Sequence, residues 1–256
     1  MTMTQSERLI YLIQYLLDEN NMHIDLPQGH DELFALYRAL VNIREAKSVS
    51  QTFLNIQDAI LQEENAKKGV VSFDEASDRI LLWRGDITRL KVDAIVNAAN
   101  NQMEGCFVPG HQCIDNAIHT FAGVQLRNEC HHLMQRQGYL EPTGEAKITK
   151  SYNLPSRYIL HTVGPIITGA VTHKDEVLLA SCYESCLRLA EKYQSIAFCC
   201  ISTGVFHFPN EHAAKIAFKT VHEYLQHSTI EKVIFNVFKE CDEKIYLTLI
   251  IHEIII

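Results

Sequence analysis

The chain has 256 residues, 47% of them hydrophobic and 21% charged, with a formal net charge of −8 at pH 7. That composition excludes intrinsic disorder and provides for one or two packed domains. The acidic balance excludes a general nucleic-acid binder, which needs a basic face. No apolar run is long enough to span a bilayer and no secretory leader opens the chain, so no membrane role is expected. The eight cysteines follow no disulfide-framework spacing, which places the expectation in a reducing cytoplasm. Residues 1–75 carry 6 basic and 12 acidic side chains, and residues 76–256 carry 17 and 19. A phosphate-bearing ligand is therefore expected on backbone N–H groups and helix N-termini, not on a basic patch.

Residues 1–75 read as a helical N-terminal extension. Ser6 is a candidate cap for a helix with Leu9, Ile10, Leu12, Ile13, Leu16 and Leu17 at helical spacing. Pro27-Gln28-Gly29 breaks it, and Asp31 opens a second pattern through Leu33, Phe34, Leu36, Tyr37, Leu40 and Val41. A third runs through Phe53, Leu54, Ile56, Ile60 and Leu61 to Lys67-Lys68-Gly69, basic residues and a glycine at a helix end. The three stripes need a surface to bury them. Packing together and onto the rest of the chain is the plainer reading, and docking of a partner is the alternative.

From residue 79 the pattern becomes α/β. Strands are expected at Arg79–Trp83, Ala94–Asn97, Glu145–Ser151, Arg157–Val163, Ser195–Ile201 and Lys232–Phe238. Helices are expected at Ile114–Arg136, Glu176–Tyr193, Glu211–His227 and over the last dozen residues. The alternation predicts a sheet covered by helices on both faces in residues 76–256.

Four segments carry candidate chemistry. In Trp83-Arg84-Gly85-Asp86-Ile87-Thr88 a strand ends in a glycine and a carboxylate. Asp86 can accept from an exocyclic amine of a base, or simply cap a turn. Val92-Asp93-Ala94-Ile95-Val96-Asn97-Ala98-Ala99-Asn100-Asn101 runs from an apolar strand into amides that suit ribose hydroxyls, or form a polar loop. In the third segment, Cys106, His111 and Cys113 fall within eight residues, with Pro109 and Gly110 folding the loop back. Two thiols and an imidazole are good zinc ligands, and three protein ligands leave a fourth position open, as in catalytic sites. One buried cysteine, one free thiol and a loop histidine is the other reading of that spacing. Cys182/Cys186 on one helix face and Cys199/Cys200 in a strand read as core. Finally, a buried strand ends in Ser202-Thr203-Gly204-Val205-Phe206-His207, a turn whose successive N–H groups can form a phosphate nest.

These segments, with Gly144–Thr149, Leu154–Pro165 and Val233–Phe238, resemble the macrodomain family across roughly residues 76–250. The resemblance implies a mixed sheet binding ADP-ribose at its strand ends. It implies Asp86 and Ile87 at the adenine with Asn236 and Phe238 nearby, Ser202, Thr203, Gly204, Val205 and Phe206 around the pyrophosphate, and Asn100, Cys113, Ile114 and Asp115 at the distal ribose. Where common hydrolytic macrodomains have an all-glycine loop, this chain has Cys106, His111 and Cys113, and Asp115 keeps the place of the catalytic aspartate. That departure resembles the zinc-dependent microbial macrodomains, which also carry a helical N-terminal extension. It implies a Zn(2+) cofactor on Cys106, His111 and Cys113, with Asp115 and Asn100 catalytic. The activity implied is removal of ADP-ribose from mono-ADP-ribosylated proteins, by attack at the anomeric carbon or at an ester carbonyl. The implied substrate is a lipoyl-carrier protein related to the glycine-cleavage carrier, and the counterpart is a sirtuin-type ADP-ribosyltransferase. A non-catalytic reader with structural zinc and a hydrolase of small ADP-ribose esters are the alternatives. His207 departs from the family's usual glycine.

Overall fold

The computed structural model describes residues 3–255, with side chains from Met3 to Ile251. The extension forms α1 (Gln5–Glu19), α2 (His30–Ile43) and α3 (Gln51–Lys68). The cap of α1 is Thr4, not Ser6: the Thr4 hydroxyl accepts the Glu7 N–H, and the Glu7 carboxylate takes the Thr4 N–H at 2.7 Å. Glu7, three residues after Thr4, closes a reciprocal pair that Ser6 lacks. Gly29 precedes α2, which places Asp31 in its first turn and not at its start. Ser50 caps α3, and Gly69 ends it with φ +79° just after Lys67 and Lys68. The three stripes meet in their own core, in which Leu9, Leu16, Tyr37, Phe53 and Ile60 are buried. Its outer side rests on the rest of the chain, where Phe34 stacks on Phe121 at 5.8 Å between ring centres.

Six strands follow: β1 (Ile80–Arg84), β2 (Ala94–Ala98), β3 (Ala146–Lys150), β4 (Tyr158–Thr162), β5 (Ser195–Phe198) and β6 (Lys232–Val237). They form one sheet in the order β1-β6-β5-β2-β4-β3, parallel except for β3 at the edge. The central strands are mostly apolar because both faces are covered, with Asn97 of β2 and Asn236 of β6 as polar residues near their carboxyl ends. Helices α4 (Ile114–Ala122) and α5 (Val124–Gln137) cover one face, with the extension packed on the outside of α4. Helices α6 (His173–Ala190), α7 (Asn210–Leu225) and α8 (Glu240–Ile255) cover the other. The C-terminal Ile256 and the side chains of 252–255, part of the expected apolar tail, lie outside the described residues.

Two further expectations are corrected. The helix expected over Ile114–Arg136 is two helices, broken at Gly123 with φ +100°. A Cβ there would also meet the side chains of Gln57 and Gln125 at 2.6 Å, so the break is bound to the docking of α3. Cys199 and Cys200 lie beyond the end of β5, not inside it, whereas Cys182 and Cys186 are buried on α6 as expected. Among the described residues no helix is long and apolar enough to cross a membrane.

The topology places the site. Chain order reverses between β2 and β5, whose following helices lie on opposite faces, and such a switch opens a crevice at the carboxyl ends of the strands. Because β1, β2, β5 and β6 are parallel, all four candidate segments leave the sheet at that same edge.

Candidate functional site

At one end of the crevice, Asp86 follows β1 and caps a single 3-10 turn, accepting the Thr88 N–H at 3.0 Å and the Thr88 hydroxyl at 2.7 Å. The capping reading of Asp86 therefore holds, and its second oxygen is engaged as well, by Lys68 Nζ at 3.2 Å. Burial raises the Asp86 pKa, but Lys68 and Thr88 outweigh it and hold the carboxylate below its ordinary range. Lys68 also donates to Thr88 Oγ1 at 2.9 Å and sits 2.9 Å from the centre of the Phe121 ring. Burial brings its own pKa down to about 8, against the pull of Asp86. Ile87 is buried, Asn236 Nδ2 donates to Gly85 O at 3.0 Å, and Phe238 stands 77% exposed beside them.

The turn after β5 folds on itself. Ser202 and His207 both have positive φ, 64° and 58°, while Phe208 N–H bonds Ser202 O at 3.0 Å and His207 N–H bonds Gly204 O at 3.1 Å. The position of His207 thus needs the left-handed backbone that glycine takes most readily. Among the described residues the N–H groups of Gly204, Val205 and Phe206 have no intramolecular acceptor. Gly164 lies against the Ser202 side chain, where a Cβ would collide with the hydroxyl. Successive free N–H groups on a concave turn suit a phosphate without any basic side chain.

At the other end lies the loop between β2 and α4. Cys106 Sγ and His111 Nδ1 are 3.6 Å apart, and the donor atoms of Cys106, His111 and Cys113 all fall within 4.8 Å of one another. Tetrahedral zinc with bonds of ~2.0–2.3 Å sets its ligands ~3.3–3.8 Å apart, so the three donors fit such an ion after a small closure. Cys113 is the N-cap of α4 and accepts the Asn116 N–H at 3.4 Å. Burial pushes its thiol up to about 12, and Cys106 and Asp115 nearby add to the rise.

Asp115, in the first turn of α4, is buried, and Asn97 Nδ2 donates to its Oδ1 at 2.7 Å. Burial raises its pKa to about 6, with Asn97 and Arg127 pulling the other way. The same Asn97 amide lies 3.1 Å from His161 Nδ1, and His161 Nε2 lies 2.9 Å from Thr149 Oγ1. Asn97 can only donate through that nitrogen, so His161 accepts at Nδ1 and carries its proton on Nε2. Burial keeps His161 neutral, its pKa down to about 3, and holds His119 far below the usual histidine range. The 3.6 Å approach of His119 Nε2 to Asp115 is therefore no ion pair. His119, Cys130 and His161 also cluster, but the bonds of His161 to Asn97 and Thr149 make this a core network behind Asp115. The side chain of Asn100 is committed locally: it donates to Gly105 O at 3.0 Å and accepts the Gln102 N–H at 2.9 Å.

The fold thus brings Cys106, His111, Cys113, Ile114 and Asp115 to one end of the crevice, Ser202–Phe206 beside them, and Asp86, Ile87 and Asn236 to the other. Sequence reasoning missed Asn97, His161, Arg38, Asn42 and Lys68. A polar residue inside the apolar run of β2 was the available signal for Asn97. Nothing local marks the three from the extension, and the cations they bring to the site come from the acidic part of the chain.

Residues 96–217 match the Macro domain model. A protein-ADP-ribose hydrolase from Treponema medium is 53% identical, over 95% of this chain and 98% of that one. A protein-ADP-ribose hydrolase from Staphylococcus aureus is 48% identical, over 93% of each chain. The solved Trypanosoma brucei macrodomain in complex with ADP-ribose is 31% identical with a TM-score of 0.64, covering 83% of this chain and 94% of its own. This chain belongs to the macrodomain family.

Proposed function

We propose that this macrodomain is a zinc-dependent protein-ADP-ribose hydrolase that removes ADP-ribose from mono-ADP-ribosylated proteins in the cytoplasm. The observation that carries the reading is the gathering of three soft donors, Cys106, His111 and Cys113, beside the buried Asp115 at a strand-end crevice. Similarity over nearly the whole chain to proteins named protein-ADP-ribose hydrolase supports the reaction class.

Asp86 accepts from the exocyclic amine of the adenine, held ionised for that purpose by Lys68 and Thr88. The free N–H groups of Gly204, Val205 and Phe206 take the pyrophosphate. Ser202 and Thr203 shape that turn, and the distal ribose then reaches Asn100, Cys113, Ile114 and Asp115. Cys106, His111 and Cys113 would hold the zinc ion, which when bound would supply Lewis acidity toward an oxygen of the scissile linkage or a water. Asp115 holds or takes the proton of the attacking water: Asn97 fixes its Oδ1, and Oδ2 has no hydrogen bond among the described residues. The amide of Asn100 fixes the start of the metal loop through Gly105 O, which makes its contribution partly one of placement. A lipoyl-carrier protein as substrate and a sirtuin-type transferase as counterpart follow from the resemblance to zinc-dependent microbial macrodomains.

Incubating the protein with an ADP-ribosylated carrier protein and with small ADP-ribose esters, with and without chelator, tests this. The expected result is release of ADP-ribose from the protein substrate, lost on chelation and restored by zinc. Tight binding without release makes the chain a reader, and release from the small esters alone moves the substrate class.

A further inference from the structure

Two backbone groups flank the imidazole of His111, and both are held by one helix of the extension. Asn42 Oδ1 accepts the Gly110 N–H at 3.0 Å, and Arg38 Nη2 donates to His111 O at 2.9 Å. Arg38 and Asn42 are four residues apart on α2 and so project from the same face. The Arg38 fork also grips Asn116 Oδ1, from Nε at 3.1 Å and Nη2 at 2.8 Å, while Asn116 Nδ2 holds Val108 O at 3.0 Å. Asn42 is fully buried and its amide reaches Thr120 Oγ1 at 3.1 Å, which locks it to α4.

The loop does little to hold itself. Between Cys106 and Cys113 the one backbone bond among the described residues is His111 N–H to Val108 O at 3.2 Å, and Gly110 adopts φ +63°. Gln112 Nε2 adds one side-chain bond, to Gly110 O at 3.1 Å, and so short an irregular stretch with one internal backbone bond takes most of its shape from outside contacts. The chain reciprocates: Arg127 of α5 donates to the last-turn carbonyls of α2, Val41 O at 2.8 Å and Asn42 O at 2.9 Å, and to Glu104 O at 2.7 Å just before the loop.

We infer that Arg38 and Asn42 are positioning residues of the metal loop, and that the helical extension is a built part of the site and not a separate docking module. Neither side chain bonds a donor atom. They fix the Gly110 N–H and the His111 carbonyl, and through them the angle of the imidazole to the two thiols. Groups that orient metal ligands are worth ~10–100-fold in metal affinity or activity. The inference rests on the reading of Cys106, His111 and Cys113 as a metal site and deepens it.

The test uses full-length Arg38→Ala and Asn42→Ala proteins, with Arg8→Ala on α1 as a control whose partners are Gln5 and Glu63. Zinc affinity is measured by competition with a chromophoric chelator, thiolate coordination by the absorption of the cobalt-loaded protein, and ADP-ribose affinity by calorimetry. Each α2 variant is expected to bind zinc about tenfold or more weakly, with an altered cobalt spectrum. ADP-ribose affinity should stay within about threefold in Asn42→Ala, since the adenine and pyrophosphate contacts lie on other segments; Arg38 also feels the charge of Asp86, so its variants are judged on zinc affinity and the cobalt spectrum. Arg38→Lys keeps the charge and the stem but not the fork, and should fall between wild type and Arg38→Ala; it also serves if Asn42→Ala does not fold. Zinc affinity unchanged in the α2 variants, or reduced equally in Arg8→Ala, overturns the inference, and so does a wild-type protein that binds no zinc. Tight zinc binding that weakens in the α2 variants, in a protein that releases no ADP-ribose, upholds the inference and sinks the hydrolase reading alone.

Discussion

The turn Ser202–Phe206 and the loop Cys106–Cys113 leave neighbouring strands, β5 and β2, and frame the same crevice, yet different forces shape them. The turn closes through its own backbone, with two positive-φ residues and bonds from Phe208 to Ser202 and from His207 to Gly204. The loop is closed by side chains from elsewhere: Arg38 and Asn42 of the extension, Asn116 of α4 and Arg127 of α5. A turn of the first kind is a local property that a short motif can encode. A loop of the second kind exists only when distant helices have docked, so its geometry is a property of the whole fold.

The largest effect expected from this contrast follows removal of a metal ligand. Cys113→Ala or His111→Ala should lower single-turnover release of ADP-ribose by ~10³-fold, because several kcal/mol of charge stabilisation is lost at tenfold per ~1.4 kcal/mol. ADP-ribose affinity should change little, since interactions made mainly in the transition state appear in the rate. Metal analysis, calorimetry and the turnover assay read this together. Full activity in a zinc-free variant would leave Asp115 as the main catalytic group and dissolve the contrast.

The adenine end should respond in the opposite sense. Asp86→Ala removes a charged acceptor worth ~1.5–3 kcal/mol, roughly 10–100-fold in ADP-ribose affinity. Zinc content should change little, because among the described residues the Asp86 carboxylate hydrogen-bonds Lys68 and Thr88 and none of the three metal donors. Unchanged affinity by calorimetry removes Asp86 from the adenine site.

The smallest effect concerns acid. His161 is held neutral down to about pH 3 and His119 is depressed likewise, against an ordinary value of 6.5. Their folded pKa values lie below the unfolded ones, so the unfolded chain binds more protons and stability falls as pH drops below 6.5. Each histidine contributes ~1.4 kcal/mol per pH unit. Asp115, raised to about 6, opposes one of them below that pH, because the folded chain takes up a proton there. The melting temperature should therefore fall from pH 6.5 downward at about the slope of one group, and His161→Gln should flatten the fall. A melting temperature flat between pH 6.5 and 4.5 contradicts the neutral network behind the metal end.

Much of this was legible before any coordinates. Short apolar runs between helical stretches located all six strands, and helical spacing located the three stripes of the extension, because burial of side chains is written directly into the chain. The four chemical segments were legible for a related reason: each is contiguous, and a strand running into a glycine, amide or hydroxyl turn announces a strand-end site. Four local readings failed, and a longer-range partner decided one of them. Glu7 moved the cap of α1 to Thr4, Gly29 and not Asp31 precedes α2, β5 stopped before Cys199, and Gln57 of α3 helped set the break at Gly123.

The sequence by itself determined the α/β class, the six strands and the composition of each loop at the crevice. Tertiary structure alone decided what holds those loops. Lys68 reads as an ordinary basic residue at a helix end, yet it meets Asp86, eighteen positions on. Arg38 and Asn42 read as the polar side of an amphipathic helix, yet they bracket His111, roughly seventy residues away. Hydrophobic periodicity reports which face of a helix is buried, whereas a hydrogen bond between elements depends on how two buried faces are set against each other. That relation has no period in the chain and appears only when the elements pack.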